Sequence, residues 1–223
     1  KSHTDIVIRS VFSPDGKFIL TVSADGLGKI WDGKNGVLLR TLIHDPEKQL
    51  EWREFSPDSK TVITVSDNAI KKWEVGSGKF LSEFKGRWIS FNDAHFSPDG
   101  QRIASRSGNN GNCHIWDVNS AQVILEMKTS SRCLKAVDFS KDGRFVLTAD
   151  CDGIAKLWDA QSGSLLQNLS GHKKMVNSIL FFADALKIIT ASSDNTIRFW
   201  ESKTGTEINM IRGHSDIVTS ARY

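Results

Sequence analysis

Residues 139–159 read Phe-Ser-Lys-Asp-Gly-Arg-Phe-Val-Leu-Thr-Ala-Asp-Cys-Asp-Gly-Ile-Ala-Lys-Leu-Trp-Asp. An aromatic opens a Ser-Lys-Asp-Gly turn, a β-rich segment follows at Arg144–Thr148, and a Trp-Asp pair closes the stretch. The opening recurs as Phe-Ser-Pro-Asp-Gly at 12–16 and 96–100 and as Phe-Ser-Pro-Asp-Ser at 55–59. Pro presets φ and Gly accepts a positive φ, so these segments are hairpin connections. Short β-rich segments also lie at Lys17–Val22, Thr61–Val65 and Lys187–Thr190, and capped helical periodicity is absent. Each unit reads as four short antiparallel strands.

The unit repeats. Trp31, Trp73, Trp116, Trp158 and Trp200 are separated by 42, 43, 42 and 42 residues. Phe12, Phe55, Phe96, Phe139, Phe181 and Tyr223 advance by 43, 41, 43, 42 and 42. Two independent landmarks share one period, the mark of a repeat architecture. The five periodic tryptophans are expected to be largely buried, whereas Trp52 and Trp88 fall outside the series, in the first strands of repeats two and three.

Composition sets the outer bounds. The 223 residues are 39% hydrophobic and 25% charged, enough to bury a sizeable core. A net charge of +3 from 29 basic and 26 acidic residues, spread along the chain, gives no field directed at nucleic acid. The stretch from Ile179 to Ile189 is interrupted by Asp184 and Lys187, so no apolar run reaches the length of a membrane-spanning helix. The first residues lack the apolar core of a signal peptide, although the chain opens inside a repeat without an initiator Met. Three cysteines, Cys113, Cys133 and Cys151, have no metal-ligand spacing and suit reduced thiols in a cytosol, so the expected location is cytoplasmic.

Trp31-Asp32, Trp116-Asp117 and Trp158-Asp159, with Trp73-Glu74 and Trp200-Glu201 as variants, resemble the closing signature of WD repeats, and Gly171-His172 and Gly213-His214 resemble its opening. The resemblance covers essentially the whole chain. It implies an all-β fold, a β-propeller of four-stranded antiparallel blades, over residues 1–223: blades at about 3–43, 44–84, 85–127, 128–169 and 170–211, and the start of a sixth at 212–223. Five blades make an incomplete ring, so the chain is expected to continue in further blades or domains.

Blades of this family share a buried relay of His, Ser/Thr, Asp and Trp. The resemblance assigns it to His3, Thr21, Asp25 and Trp31; to His44, Thr64, Asp67 and Trp73; and to His172, Thr190, Asp194 and Trp200. A buried indole N–H and a buried carboxylate are each costly unless partnered, so the four satisfy one another. Blade four keeps Thr148, Asp152 and Trp158 with Ser130 for the His, and blade three has Arg87 and Asn110 at the His and Asp positions. These two blades are expected to be the softer ones. A His-Thr-Asp trio also suggests a hydrolase triad, but a catalytic set occurs once with an exposed nucleophile, whereas this one recurs at the blade period with a Trp. His95 and His114 read as strand residues, and no catalytic, metal or cofactor constellation is expected.

The resemblance therefore implies a non-catalytic scaffold that binds protein or peptide partners on the propeller faces. Two alternatives stand beside it: the sensor segment of a larger signalling ATPase or kinase, and a propeller enzyme. Partners of the family meet the start of the first strand and the turn between the second and third. Here those positions are Ile6, Ile8 and Ala24; Gln49, Glu51 and Ser66; Ser90, Asn92 and Asn109; Cys133, Lys135 and Cys151; Met175, Asn177 and Ser193. Their neutral, partly apolar mix favours protein over nucleic acid. In blade four, a three-residue turn Lys141-Asp142-Gly143 would set Phe139 opposite Phe145, and counting back brings Cys133 opposite Cys151 unless a bulge intervenes. Neighbouring, reduced but oxidisable thiols are the expectation.

Overall fold

The computed structural model of the chain describes residues 3–45, 50–66, 69–86, 91–107, 111–129, 131–182 and 184–221. Each Ser-x-Asp turn is built by more than Pro and Gly. Ser13 O accepts from Gly16 N at 2.9 Å and Ser13 N donates to Phe18 O at 2.8 Å, so Gly16 takes φ +71. The Ser13 hydroxyl donates to the Asp15 carboxylate at 2.7 Å and accepts from Phe18 N at 2.9 Å, while the carboxylate also accepts from Lys17 N at 3.1 Å. The same clasp forms at Ser56 with Asp58, Ser97 with Asp99 and Ser140 with Asp142, at 2.6, 2.5 and 2.6 Å. All four serines are buried, where an unpartnered hydroxyl would be costly. The Ser13 hydroxyl and the Lys17 N–H hold the Asp15 carboxyl down at about 2.

The described residues form five antiparallel four-stranded sheets in which each strand pairs with its neighbour in sequence, and in four of them a Ser-x-Asp turn joins the first strand to the second. The first holds β1 (Val7–Phe12), β2 (Phe18–Ser23), β3 (Leu27–Asp32) and β4 (Leu38–Ile43). The second holds β5 (Trp52–Phe55), β6 (Thr61–Val65), β7 (Ile70–Glu74) and β8 (Phe80–Phe84), and the third β9 (Phe91–Phe96), β10 (Arg102–Ser107), β11 (Cys113–Asp117) and β12 (Val123–Met127). In the fourth are β13 (Leu134–Phe139), β14 (Phe145–Asp150), β15 (Ile154–Asp159) and β16 (Leu165–Ser170). The fifth contains β17 (Val176–Phe181), β18 (Lys187–Ser192), β19 (Thr196–Glu201) and β20 (Glu207–Arg212). Among the described residues there is no helix long and apolar enough to cross a membrane.

Two compact units divide the chain: Lys1–Ile103 with Trp116–Gln122, and Ala104–Ile115 with Val123–Tyr223. In the first, Leu20, Ile30 and Leu42 of the first sheet pack with Phe55, Val62 and Trp73 of the second, and Ile63, Phe84, Phe91 and Trp116 form the next core. In the second, Ile115, Leu134, Phe139 and Trp158 make one core, and Leu147, Leu157, Val176, Phe181 and Trp200 another. Trp73, Trp116, Trp158 and Trp200 are each 6% exposed or less, because each faces the sheet before its own. Trp31 is half-buried, more open than the other four but still within the expectation of a largely buried ring.

The register of the fourth sheet departs from the count made on the sequence. Phe139 pairs with Val146, not Phe145, because Ser140 N bonds to Phe145 O and the loop is one residue longer. A β-bulge between Leu134 and Ala136 then takes up one residue, so Leu134 pairs with Asp150 and Cys133 still lies opposite Cys151. Two departures of opposite sign cancel. The same bulge recurs between Val7 and Arg9 and between Val176 and Ser178.

Candidate functional site

In blades one and five a relay fastens the far end of the hairpin. In the fifth blade, Trp200 Nε1 donates to Thr190 Oγ1 at 2.8 Å, Thr190 Oγ1 meets His172 Nε2 at 2.7 Å, and His172 Nδ1 meets Asp194 Oδ2 at 3.0 Å. The indole can only donate. The hydroxyl therefore passes its proton toward Nε2, and a neutral His172 donates from Nδ1 to the carboxylate. Burial holds the His172 imidazole below its ordinary range, against the pull of Asp194. At Asp194 burial pushes upward but is outweighed by the Thr196 hydroxyl, the Lys173 N–H and His172, so its carboxyl lies well below the usual range. The first blade repeats the line: Trp31 to Thr21 at 2.8 Å, Thr21 to His3 Nε2 at 2.8 Å, and His3 Nδ1 to Asp25 Oδ2 at 3.0 Å.

Blade two turns the imidazole over. His44 presents Nδ1 to Thr64 Oγ1 at 2.7 Å and Nε2 to Ser66 Oγ at 3.1 Å, and Trp73 Nε1 donates to Thr64 at 2.9 Å. Asp67 lies outside the described residues, and Ser66 is buried. Burial, with the Lys71 cation second, lowers the His44 imidazole to about 4. Arg87 and Asn110 of blade three also lie outside the described residues. Arg106 stands where the other blades have the relay Thr and donates from its guanidinium to Leu134 O at 2.8 Å.

In blade four the Trp158 indole donates to Thr148 at 2.9 Å, as elsewhere. Asp152 departs from its expected role: it is exposed, and its backbone N donates to Asp150 Oδ1 at 3.0 Å. Asp150 is 3% exposed and accepts from Ile154 N as well, at 2.9 Å. It stands where Ser23 and Ser192 cap the same turn through Asp25 N and Asp194 N, at 3.2 and 3.1 Å. One carboxylate thus does the work of the Ser and the Asp of other blades, and burial raises it above its ordinary range. Ser130, the residue in the His position, lies outside the described residues.

Sequence reasoning missed a second periodic set. Lys29, Lys71, His114, Lys156 and Arg198 each stand two residues before the periodic Trp. Lys71 donates to His44 O and pairs with Glu83 at 3.8 Å, Lys156 donates to Thr129 O, His114 meets Glu126 at 3.7 Å, and Arg198 pairs with Glu207. The signal was a basic residue at constant offset from the Trp.

The positions singled out for partners are unequal. Ile6 is 74% exposed, Lys135 is exposed, and Ile8, Ala24, Glu51 and Met175 are half-buried. Ile8, Lys135 and Asn177 are each the extra residue of a strand-start bulge, which re-aims a side chain. The Asn177 amide is held by Ser193 Oγ and Val218 O, both at 2.9 Å, so the chain's own C-terminal stretch occupies it, and Ser193 is buried. Gln49, Ser90 and Asn109 lie outside the described residues, as does the side chain of Asn92. Cys133 and Cys151 are joined as a disulfide with Cα atoms 5.5 Å apart, which corrects the expectation of free thiols: opposed strand residues at that spacing fall in the range a disulfide spans.

Two further features belong to the surface. In the first unit, the Arg9 and Arg53 guanidiniums lie 4.9 and 5.6 Å from the Trp52 ring, His95 meets the same ring at 5.0 Å, and His95 Nδ1 pairs with Glu54 at 2.8 Å. In the second, an apolar cleft of about 390 Å³ is lined by Phe145, Leu157, Leu166 and Leu186 and rimmed by Asp142 and Lys203. No group of three or more His, Cys, Asp or Glu suited to a metal ion occurs among the described residues.

The sequence profile described as "WD domain, G-beta repeat" matches residues 1–32, 78–117, 122–159 and 163–201. The chain belongs to this WD-repeat family. It is 28% identical over 158 residues to the Protein LST8 homolog of Drosophila pseudoobscura pseudoobscura, covering 67% of this chain and 50% of that protein. Nuclear distribution protein PAC1 of Arthroderma otae is 28% identical over 167 residues, covering 70% of this chain and 36% of PAC1. Periodic tryptophan protein 2 of Saccharomyces cerevisiae is 27% identical over 153 residues, covering 68% of this chain and 17% of that protein. This WD-repeat chain thus spans half or less of the length of these curated relatives, none of which is named as an enzyme.

Proposed function

We propose that this WD-repeat chain is a non-catalytic platform in the cytoplasm that binds protein or peptide partners, without a cofactor, through the strand-start and β2–β3-type turn positions of its blades. The observation that carries this reading is the repeated construction of those positions. In blades one, four and five the same bulge re-aims the same residue, Ile8, Lys135 or Asn177, beside a hairpin end fastened by buried bonds or a cross-link. Stiff ends that carry different side chains at equivalent sites suit recognition by shape and apolar contact at low ordering cost. The whole protein's partners follow the same proposal.

The test is capture of partners by the full-length protein and by its Ile6→Asp, Lys135→Glu and Met175→Glu variants. At least one substitution is expected to weaken capture by roughly tenfold or more while the melting temperature stays within about 1 °C. Capture unchanged in all three would remove the reading.

A further inference from the structure

Three blades place a pair of residues at the same point, where the first strand begins and the second ends. Ala24 N donates to Ile6 O at 3.0 Å, Cys151 N to Cys133 O at 3.1 Å, and Ser193 N to Met175 O at 3.0 Å. The backbone of the hairpin alone therefore brings the two side chains of such a pair together, and in blade four they are two cysteines. Both residues are half-buried rather than sealed in the core. Cys113, by contrast, is 0% exposed in the core between Ala104 and Ile115.

Blade four is also the blade in which the Asp152 carboxylate is exposed instead of holding an imidazole. The bond between residues 133 and 151 closes the hairpin at the end where blades one and five have a His–Asp contact. A covalent tie thus stands where blades one and five have hydrogen bonds.

We propose that Cys133 and Cys151 form a reversible dithiol–disulfide site that exchanges with low-molecular-weight disulfides such as oxidised glutathione, and that its redox state sets the order of the turn from Cys151 to Gly153. In the oxidising direction the thiolate of one cysteine attacks a sulfur of the reagent. The reagent's S–S bond breaks, a mixed disulfide forms, and one thiolate leaves and takes up a proton. The second cysteine loses its proton and attacks the protein sulfur of the mixed disulfide, releasing the second small thiol. Two electrons and two protons pass from the cysteine pair to two small thiols, and a dithiol reductant reverses the exchange. At the cytoplasmic location proposed above, on which this step rests, such a bond is redox-responsive rather than architectural. The further consequence, that partner capture changes with redox state, rests on the platform reading because Cys133, Lys135 and Cys151 are among its positions.

The full-length protein is equilibrated in glutathione buffers of increasing oxidised fraction, quenched with an alkylating agent and weighed. Two alkyl labels should be lost together as the oxidised fraction rises and return on reduction, while native Cys113 stays unlabelled throughout. In hydrogen exchange, the amides of Asp152 and Ile154 should exchange roughly tenfold faster in the reduced form, and those of Asp194 and Thr196 in blade five should not change. Cys133→Ser should fix the fast exchange and abolish the paired loss of two labels, the remaining thiol losing at most one label as a mixed disulfide with glutathione; Cys151→Ala serves the same end if the first variant misfolds. A pair that stays dithiol at every ratio, one that resists a dithiol reductant, or identical exchange in both forms would overturn the proposal. A reversible titration with partner capture equal in both states would leave the site standing and count against the platform face alone.

Discussion

The fourth and fifth blades share a period, a turn and a buried Trp bonded to a Thr, yet they fasten the far end of the hairpin by different chemistry. The fifth uses a line of neutral hydrogen bonds ending on a carboxylate, from Trp200 through Thr190 and His172 to Asp194. The fourth uses a cross-link and a single buried carboxylate, Asp150, that caps two amides. What the blade requires is a pinned turn, and no one relay is obligatory. The largest expected effect breaks or supports this contrast directly. Asp194→Ala removes the carboxylate that accepts from His172 Nδ1, from the Thr196 hydroxyl and from the backbone amides of Lys173 and Thr196. It should cost about 3 kcal/mol, or roughly 6–12 °C in melting temperature. Asp152→Ala should stay within about 0.5 kcal/mol of the parent. Equal losses at the two positions in thermal melts would erase the difference between the blades.

Acid sharpens the same comparison, because the titrating groups have opposite signs. His44 is held down at about 4 in the folded chain, so the unfolded chain binds the extra proton first. Its contribution is fully present above an unfolded value of about 6.5 and is lost as pH falls toward 4, up to about 3 kcal/mol in all. His172, also lowered, loses stability in the same direction. Asp150 is raised in the folded state, so there the folded chain binds the proton first and stability is regained as pH falls through its folded value. Melts taken from roughly pH 7 down to 4.5 should therefore show a shallower acid loss in His44→Gln and a steeper one in Asp150→Asn than in the parent. Parallel curves for all three proteins would contradict both assignments.

Periodicity made the blades legible before any coordinates, since a 42-residue recurrence of Trp forces one sheet per repeat. The family model and the five sheets agree with it. The relay positions of blades one and five could be read because each residue type has a unique place in the hydrogen-bond line. Blade four misled because Asp150 and Asp152 are both carboxylates near one turn, and only burial distinguishes the one that caps it. The loop at Lys141–Arg144 misled differently: a Gly at positive φ fits hairpin loops of more than one length, and the bulge near Lys135 leaves no mark in composition. The half-burial of Trp31 depends on what packs beside its sheet, which local sequence does not encode.

The smallest expected effect lies at the opposite end of the same hairpins. In the fourth blade Asp142 accepts from the Ser140 hydroxyl at 2.6 Å and from Arg144 N at 3.1 Å, and Ser140 in turn receives Phe145 N at 3.0 Å. In the fifth blade Phe182 takes the place of that serine, and Asp184 accepts from Leu186 N alone among the described bonds, at 2.9 Å. Burying Ser140 makes its hydroxyl dependent on the carboxylate, whereas the Leu186 amide is exposed and exchanges its partner for water. Asp142→Ala should therefore cost about 1 kcal/mol and Asp184→Ala about 0.5 kcal/mol or less in denaturant titrations. A double-mutant cycle separates the clasp from the amide bond that the two turns share: in a Ser140→Ala background, the loss at Asp142 should shrink to the size of that at Asp184. An undiminished loss at Asp142 would mean that the hydroxyl contributes nothing through the carboxylate, and that the recurrent Ser and Asp of the turns act independently.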